Sequence, residues 1–494
     1  MSSARRFLAD RRLAVLLLCG LLPSCLIAGQ ALALHPENSH YFLFRGRPTL
    51  VITSGEHYGS VLNLDFDFVK YLETLKADGL NGTRTWSGVY CEPTTAFNIA
   101  KNTLAPQTGR FLSPWARSQQ PGYSNGGNKF DLDTWDQAYF TRLNDFLSNA
   151  SQRGIIVEFN LFCPFYEESM WQLSPMNALN NVNGVGTLAR TNVYTLDRNG
   201  GLLAVQDKLV RKLVNELKAF DNLYYEICNE PYFGGVTMEW QHHIADMISQ
   251  TERALGARHL ISQNVANYKA KVENPHPAVS IFNFHYATPP DTVELNYGLN
   301  KVLGDNETGF GGTNDSPYRM EGWDFVVAGG GLFNNLDYSF TAGHEDGTFV
   351  FPASQPGAGS PTLRRQYHFL SQLISRFDFI HMRPQNEVVK AELPAGVTVR
   401  ALVKKEQDYL IYVRTAAGEK KQEQVQLKTK FAPGELSLEV TLSPGEYEAE
   451  WLDTRSSSSL QREHFEQTSD KRRMPNPGFE EDIALTIRKS KGGK

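Results

Sequence analysis

The chain has 494 residues, of which 41% are hydrophobic and 11% aromatic, and its formal net charge is -5. These values are typical of folded globular proteins and exclude a largely disordered chain. The slightly acidic balance excludes a broad basic surface, so we expect no nucleic-acid partner. The length exceeds one ordinary domain and suits a large barrel followed by a smaller module.

The N-terminal segment has the layout of a secretory signal peptide. Four arginines lie between residues 5 and 12, an apolar run covers Leu13 to Gly29, and Ala31-Leu32-Ala33 offers a small-x-small cleavage site. We therefore predict that residues 1–33 are removed and that the mature protein is secreted, periplasmic or held at the cell surface, with no stable membrane insertion. An uncleaved anchor and a lipoprotein processed at Cys25 stay open as alternatives.

Three cysteines remain beyond this segment, namely Cys91, Cys163 and Cys228. An odd and sparse set of this kind is not a disulfide framework, and its spacing fits no zinc motif. We expect buried free thiols, although Cys91 and Cys163 could meet if their loops are neighbours. No His cluster has the spacing of metal ligands, so we predict neither a metal nor a cofactor.

From residue 34 onward, strand-like apolar runs alternate with helix-like periodicity. Eight runs are candidates for one parallel sheet: 49–53, 80–86, 155–162, 223–228, 259–263, 279–286, 302–307 and 332–336. Eight alternating units predict an α/β fold, a closed (β/α)8 TIM barrel over residues 34–384. A doubly wound nucleotide-binding sheet is the alternative, but no Gly-x-Gly-x-x-Gly opens the first crossover.

Two regions depart from this alternation. The segment 87–133 is rich in Gly, Pro and Asn, and loops of that length usually form functional walls or lids. After Pro384 the hydrophobic pattern changes to period two, with turn signals and no helix, over residues 385–494. This pattern predicts a small antiparallel β-sandwich, with a flexible loop at residues 456–459.

The stretch Tyr224 to Pro231 is the most informative one. It reads as a buried strand that stops where Pro231 can no longer donate a ladder hydrogen bond, which places Asn229 and Glu230 at a strand end. In parallel barrels the strand ends converge on one pocket. Glu307 ends a later strand, and two carboxylates on separate strands are what hydrolysis of a glycosidic bond requires.

Asn229-Glu230-Pro231 after the fourth strand, with Glu307 ending the seventh, resembles the clan of (β/α)8 retaining glycoside hydrolases. The likeness covers residues 34–379 and is greatest to the cellulase- and mannanase-like family 5. It implies Glu230 as acid/base and Glu307 as nucleophile. The remaining substrate-site residues that it implies are Asn229 on the sugar 2-hydroxyl, Arg84 beside the nucleophile, and His285 and Tyr286 on the sixth strand.

This chain departs from the family pattern in two places. His285 and Tyr286 are adjacent, whereas the family separates the two residues by one, so strand alternation predicts that only one faces the pocket. The eighth strand offers Asn334, Asn335 and Tyr338 where the family has a Trp. The C-terminal module resembles the sandwich of secreted glycosidases that is sometimes called a collagen-binding domain.

Further candidates for the sugar site follow from position and chemistry. Glu56 and His57 lie at the first strand end, and Trp86, Tyr166 and Trp171 offer aromatic faces on which sugars pack. We expect Glu230 to have a raised pKa, as an acid needs, and a carbohydrate as the partner. The alternative hypothesis is a non-catalytic carbohydrate- or matrix-binding protein on a glycosidase scaffold.

Overall fold

The computed structural model describes residues 31–415 and 428–490. Residues 1–30 of the predicted signal segment 1–33 therefore lie outside the described residues, whereas residues 31–33 are described. Within the described ranges, no helix combines the length and the apolar character that crossing a bilayer requires. The cysteines Cys91, Cys163 and Cys228 are buried and unpaired, as predicted.

Eight parallel strands form the predicted barrel. They are β1 (Val51–Gly55), β2 (Gly82–Trp86), β3 (Ile156–Phe162), β4 (Leu223–Cys228), β5 (Leu260–Asn267), β6 (Val279–His285), β7 (Val302–Glu307) and β8 (Leu332–Leu336). Neighbours pair in sequence order, and β8 pairs with β1. Side chains close the seam between β1 and β2, where Asn81 Oδ1 accepts from the Ile52 amide at 3.0 Å.

Seven helices surround these strands. They are α1 (Phe68–Ala77), α2 (Gln137–Arg153), α3 (Leu202–Leu217), α4 (Met238–Leu255), α5 (Asp291–Asn296), α6 (Asp315–Val327) and α7 (Pro361–Ser375). Asp67 and Asp136 cap α1 and α2 by accepting backbone N–H groups, and Gly154 ends α2 in the left-handed region at φ 72°. The segment 268–278, described throughout, joins β5 to β6 without a helix.

A small sheet covers the N-terminal ends of the barrel strands. It consists of Ala33–Leu34, Phe42–Phe44 and Arg47–Thr49. Leu32 is buried against Phe42 and against the first residues of several barrel strands, and its amide donates to the Asp221 carbonyl at 2.9 Å. This end of the barrel is therefore an apolar plug, and chemistry is left to the opposite end.

Two long loops lie at the C-terminal ends of the barrel strands. The loop after β2 carries a hairpin of Trp115–Pro121 and Asn128–Trp135, and the loop after β3 carries a helical turn at Glu168–Trp171. Short 3₁₀ turns occur at Ala96–Asn98, Arg190–Asn192, Tyr297–Leu299, Phe379–His381 and Asn386–Val388. The loop after β2 is thus folded against the barrel mouth, where the sequence predicted a wall or lid.

The C-terminal domain consists of antiparallel sheets that share one core. The six-stranded sheet contains Arg383–Pro384, Thr398–Lys404, Asp408–Arg414, Asp482–Lys489, Gly445–Asp453 and Ser458–Gln467. A three-stranded sheet contains Val389–Lys390, Ser437–Thr441 and Lys471–Pro475. A two-stranded sheet contains Lys430–Phe431 and Phe479–Glu480. The sandwich prediction is confirmed. The predicted loop 456–459 is right in its first half, where residues 456–457 form a turn, and wrong in its second half, because a strand starts at Ser458. Its exposed polar residues concealed the period-two pattern of an edge strand.

The sandwich docks on α6 through buried ion pairs. Arg319 on α6 donates to Asp482 at 2.6 Å and to Glu481 at 2.8 Å. Asp324 on the same helix accepts from two arginines of the sandwich, Arg400 and Arg414. Trp323 stacks on Tyr412 with ring centroids 5.5 Å apart. The two domains therefore share a polar and aromatic interface.

Candidate active site

Glu307 is the last residue of β7 and is held by three donors. The Tyr286 hydroxyl donates to Oε1 at 2.7 Å, while the Tyr58 hydroxyl at 2.8 Å and Arg84 Nη1 at 3.1 Å donate to Oε2. The residue is only 7% exposed. Its carboxylate is thereby fixed in position, with its negative charge compensated by protein groups.

Arg84, on β2, is the centre of this network. It is buried, donates to Glu158, to Glu226 and to Asn229 Oδ1 at 2.6 Å, and lies over the Tyr58 ring at 4.6 Å. Burial and the neighbouring Glu226 raise the pKa of Glu158 to about 8. The guanidinium is therefore locked by several partners, and it orients Asn229.

Glu230 follows β4 and faces Glu307 across the barrel mouth. Its Oε2 accepts from the Tyr166 hydroxyl at 2.6 Å, and its Oε1 lies 3.3 Å from the Tyr232 hydroxyl and 3.2 Å from His285 Nδ1. One ligand atom each from Glu230, His285 and Glu307 lies within 4.8 Å of the others. The two carboxylates thus share one cleft, with His285 between them.

Of His285 and Tyr286, only Tyr286 lines the cavities of the cleft, as predicted, but both side chains contact Glu307. His285 Nδ1 lies 3.6 Å from Glu307 Oε1, and Tyr286 donates to the same oxygen. Tyr286 has φ 54°, so the chain leaves the extended conformation immediately after His285 and both side chains turn to the same carboxylate. This local conformation takes the place of the spacer residue that the family pattern has.

The protonation of this cluster differs from the expectation. Burial acts to lower the pKa of His285, but the negative charges of Glu307 and Glu230 outweigh it and raise that pKa above its ordinary value. Burial acts to raise the pKa of Glu230, but hydrogen bonds and charge from His285, with the phenols of Tyr166 and Tyr232, outweigh it and lower that pKa. The expected raised pKa of Glu230 is therefore wrong for the unliganded site, because His285 and the two phenols favour the charged carboxylate.

Two predicted sugar ligands lie elsewhere. Glu56 is fully buried and accepts from the amides of Gly59 and Ser60 and from the Thr103 hydroxyl, so it organises the loop after β1. Trp171 is buried within the loop after β3, where its indole N–H donates to the Leu188 carbonyl. Both corrections have one cause, since polarity and aromaticity do not reveal which way a loop side chain points.

The remaining candidates surround a small inner cavity of about 40 Å³. Its walls include the predicted residues His57, Trp86, Tyr166, Asn229, Glu230, Tyr286 and Glu307. An adjoining outer cavity of about 740 Å³ contains Glu230, Tyr166 and Tyr286, together with aromatic residues of the rim. The two glutamates therefore stand where a narrow pocket opens into a wide groove.

Sequence reasoning missed several contributors to this site. Tyr58 donates to Glu307, Tyr232 contacts Glu230, and Glu92 lines the inner cavity. Tyr58 lies directly after the strand-end pair Glu56-His57 and Tyr232 directly after Asn229-Glu230-Pro231, so proximity to a predicted strand end is the signal that could have found them.

Six of the fourteen non-glycine residues with positive φ in the described ranges lie at the same cleft. Non-glycine residues with positive φ at the cleft are Tyr58 (62°), Phe97 (51°), Glu230 (36°), Tyr268 (64°), Tyr286 (54°) and Phe310 (58°). Such conformations cost about 1–3 kcal/mol each and persist where surrounding structure enforces them. Their clustering marks this cleft as a functional site on physical grounds.

Glu230, His285 and Glu307 could also serve as ligands for a cation by distance alone. Each carboxylate already accepts hydrogen bonds from tyrosine hydroxyls, and the Arg84 guanidinium lies 3.1 Å from Glu307. A fixed positive charge beside one ligand opposes a metal ion there. The donor set therefore fits carboxylates prepared for reaction with a neutral molecule better than a metal centre.

Comparison with known proteins gives the fold a context. No family model and no curated protein matches the sequence. A candidate glycoside hydrolase from Bacteroides vulgatus superposes with a TM-score of 0.62 at 13% identity, covering 94% of this chain and 83% of that one. A glycoside hydrolase family 5 structure from the same organism gives a TM-score of 0.60 at 14% identity, covering 94% of both chains. The chain thus has the fold of these glycoside hydrolase structures, over the barrel and the C-terminal β-domain together.

Proposed function

We propose that this protein is a secreted retaining glycoside hydrolase that cleaves β-O-glycosidic bonds of an oligo- or polysaccharide. The observation that carries the proposal is the pair of buried glutamates, Glu230 and Glu307, at the ends of β4 and β7 in one cleft. The shared fold with glycoside hydrolase structures supports the substrate class. Export rests on the N-terminal sequence, whose charged and apolar regions are typical of a signal peptide.

In the proposed reaction Glu307 is the nucleophile. Its carboxylate attacks the anomeric carbon while the bond to the leaving oxygen breaks, and Glu230 gives that oxygen a proton. Water then hydrolyses the glycosyl ester, Glu230 takes the water proton, and Glu307 leaves as a carboxylate. Arg84, Tyr58 and Tyr286 hold the nucleophile in place between the two steps.

The separation of the carboxylates supports retention of configuration. An inverting enzyme needs about 6.5–9.5 Å between its two carboxyl groups, because a water molecule must fit behind the sugar, whereas a retaining enzyme needs about 5–5.5 Å. One oxygen of Glu230 and one oxygen of Glu307 lie within 4.8 Å of each other, closer than an inverting pair. This gap leaves room for direct attack by Glu307.

His285 supplies the proton that the acid step needs. The imidazole and Glu230 together hold one proton, and transfer from Nδ1 to Oε1 across 3.2 Å gives a neutral imidazole and a carboxylic acid. A bound sugar that displaces water favours this neutral form, since burying separated charges is costly. His285 thus acts as a proton store for the acid/base residue.

Substitution of each glutamate tests the assignment. Glu230→Gln and Glu307→Gln are each expected to lower kcat by at least about 10²–10⁴-fold on a β-glycan, with an unchanged circular dichroism spectrum. Glu273→Gln changes an exposed carboxylate and serves as the matched control. Activity within a fewfold of the wild type in either active-site variant contradicts the mechanism.

Two further measurements separate the proposal from its alternatives. EDTA is expected to leave the rate unchanged, since the mechanism assigns no step to a metal. Glycan binding without turnover in the wild type would favour the binding-protein hypothesis. A matrix-binding role has less support, because Leu393 and Leu460 are the large exposed hydrophobic residues in the described part of the C-terminal domain.

A further inference from the structure

We infer that the enzyme acts from the non-reducing end and releases one sugar at a time. This inference rests on the proposed function and adds a mode of action to it. The position of the two glutamates relative to the two cavities supports this mode of action. Glu230 lines both cavities, whereas Glu307 lines the inner one.

The chemistry then assigns an end of the substrate to each cavity. The nucleophile bonds to the anomeric carbon of the sugar that is released, and the acid protonates the oxygen of the leaving group. The released sugar therefore occupies the inner cavity beside Glu307, and the leaving chain extends past Glu230 into the outer groove.

The inner cavity ends at a fixed wall. Glu92 is part of this wall and accepts from Asn102 Nδ2 at 2.5 Å, from the Tyr90 hydroxyl at 3.0 Å and from His57 Nε2 at 3.3 Å. Its amide donates to the Leu104 carbonyl at 2.8 Å. These groups are buried, so the wall is part of the packed structure, and on the inferred mode of action it stops a second sugar beyond the first.

The loop after β1 holds this wall in place from below. Thr103 bonds to Glu56, and its carbonyl is so near Gly59 that a Cβ there would lie 2.3 Å away. Glu56, which the sequence predicts as a sugar ligand, thus supports the wall of the pocket instead.

Polar groups in the inner cavity are suited to a single sugar. Three buried atoms of its lining have no hydrogen-bond partner among the described residues, namely His57 Nδ1, Trp86 Nε1 and the Tyr338 hydroxyl. Buried polar groups are normally paired, and the hydroxyls of one bound sugar would pair with them. This cavity is much narrower than the outer one, about 40 Å³ against about 740 Å³, so the longer part of the substrate finds its space in the outer groove.

The outer groove has the opposite character. Exposed aromatic rings line it, with Phe97 39%, Phe233 44%, Tyr268 61% and Phe310 48% exposed. Aromatic faces pack on the apolar faces of sugars and tolerate variation in the chain. The structure therefore distinguishes a closed pocket for the sugar that is removed from an open platform for the remaining glycan.

Matched fluorinated probes test this inference. The full-length mature protein would be incubated with 2-deoxy-2-fluoro glycosyl fluorides of glucose, mannose and galactose, and with the corresponding β-1,4-linked disaccharide fluorides. These reagents trap the glycosyl ester, and mass spectrometry of peptides reports labelling of Glu307. We expect a monosaccharide probe to label at least tenfold faster than its disaccharide partner, because the second sugar meets Glu92.

The outcomes separate the two proposals. Faster labelling by a disaccharide probe would overturn release of single sugars and leave the retaining mechanism standing. Equal rates would have the same meaning, since the wall would then exclude nothing. Absence of label on Glu307 with every probe, in protein that is folded by circular dichroism, would overturn the proposed function itself.

Discussion

The buried ion pair between α6 and the sandwich predicts a large loss of stability for Arg319→Met. Arg319 and Asp482 are 4% and 0% exposed in their side chains, and their atoms lie 2.6 Å apart. Methionine keeps the length of the side chain. In the described part of the chain it leaves the Asp482 carboxylate with two side-chain donors, the hydroxyls of Tyr412 and Thr454. Removing one partner of a buried pair costs about 3–5 kcal/mol in the free energy of unfolding.

Urea denaturation followed by tryptophan fluorescence measures this loss. The matched control is Lys404→Met, which breaks an exposed ion pair between the sandwich and the barrel. Lys404 lies 2.8 Å from Asp378, and the two side chains are 25% and 43% exposed. Exposed pairs contribute about 0–1 kcal/mol, so the control should unfold almost as the wild type does. Equal losses in the two variants would refute the reasoning that burial sets the strength of this interface.

Two further predictions concern stability. Burial holds the pKa of Glu158 and of Glu321 at about 8, above the value in the unfolded chain. The folded state therefore binds more protons, so the urea midpoint should fall as pH rises from about 5 to 8, and a rising midpoint would contradict it. A chain that begins at Leu34 should lose about 1.5–3 kcal/mol relative to one that begins at Leu32, because it lacks the buried leucine side chain; equal melting temperatures would show that the plug contributes nothing.

The barrel could be predicted because its signals are local and repeated. Each predicted strand coincides with an observed one to within a few residues, since buried parallel strands are continuous apolar runs that Gly, Pro or polar residues end. The edge strand Ser458–Gln467 was missed for the converse reason. It lies on the exposed margin of its sheet and needs little apolar character.

The site could be predicted in its chemistry but not in its detail. Strand ends brought Glu230, Glu307 and Arg84 together, as topology requires of the carboxyl ends of parallel strands. The sequence carries no sign of the left-handed backbone at Tyr286, which turns two adjacent side chains to one carboxylate. It also carries no sign that Glu56 is turned inward, because that depends on Thr103, which lies 47 residues away in the chain.

The two ends of the proposed substrate are recognised by different parts of the molecule. Glu92, in the wall of the inner cavity, belongs to the barrel, whereas the outer groove includes Arg414 from the sandwich. Arg414 also donates to Asp324 of α6 at 2.8 Å, so the docking of the sandwich sets the shape of the groove on the leaving side. Changes at the domain interface should therefore alter the choice of leaving chain, and changes in the loop after β2 the choice of terminal sugar.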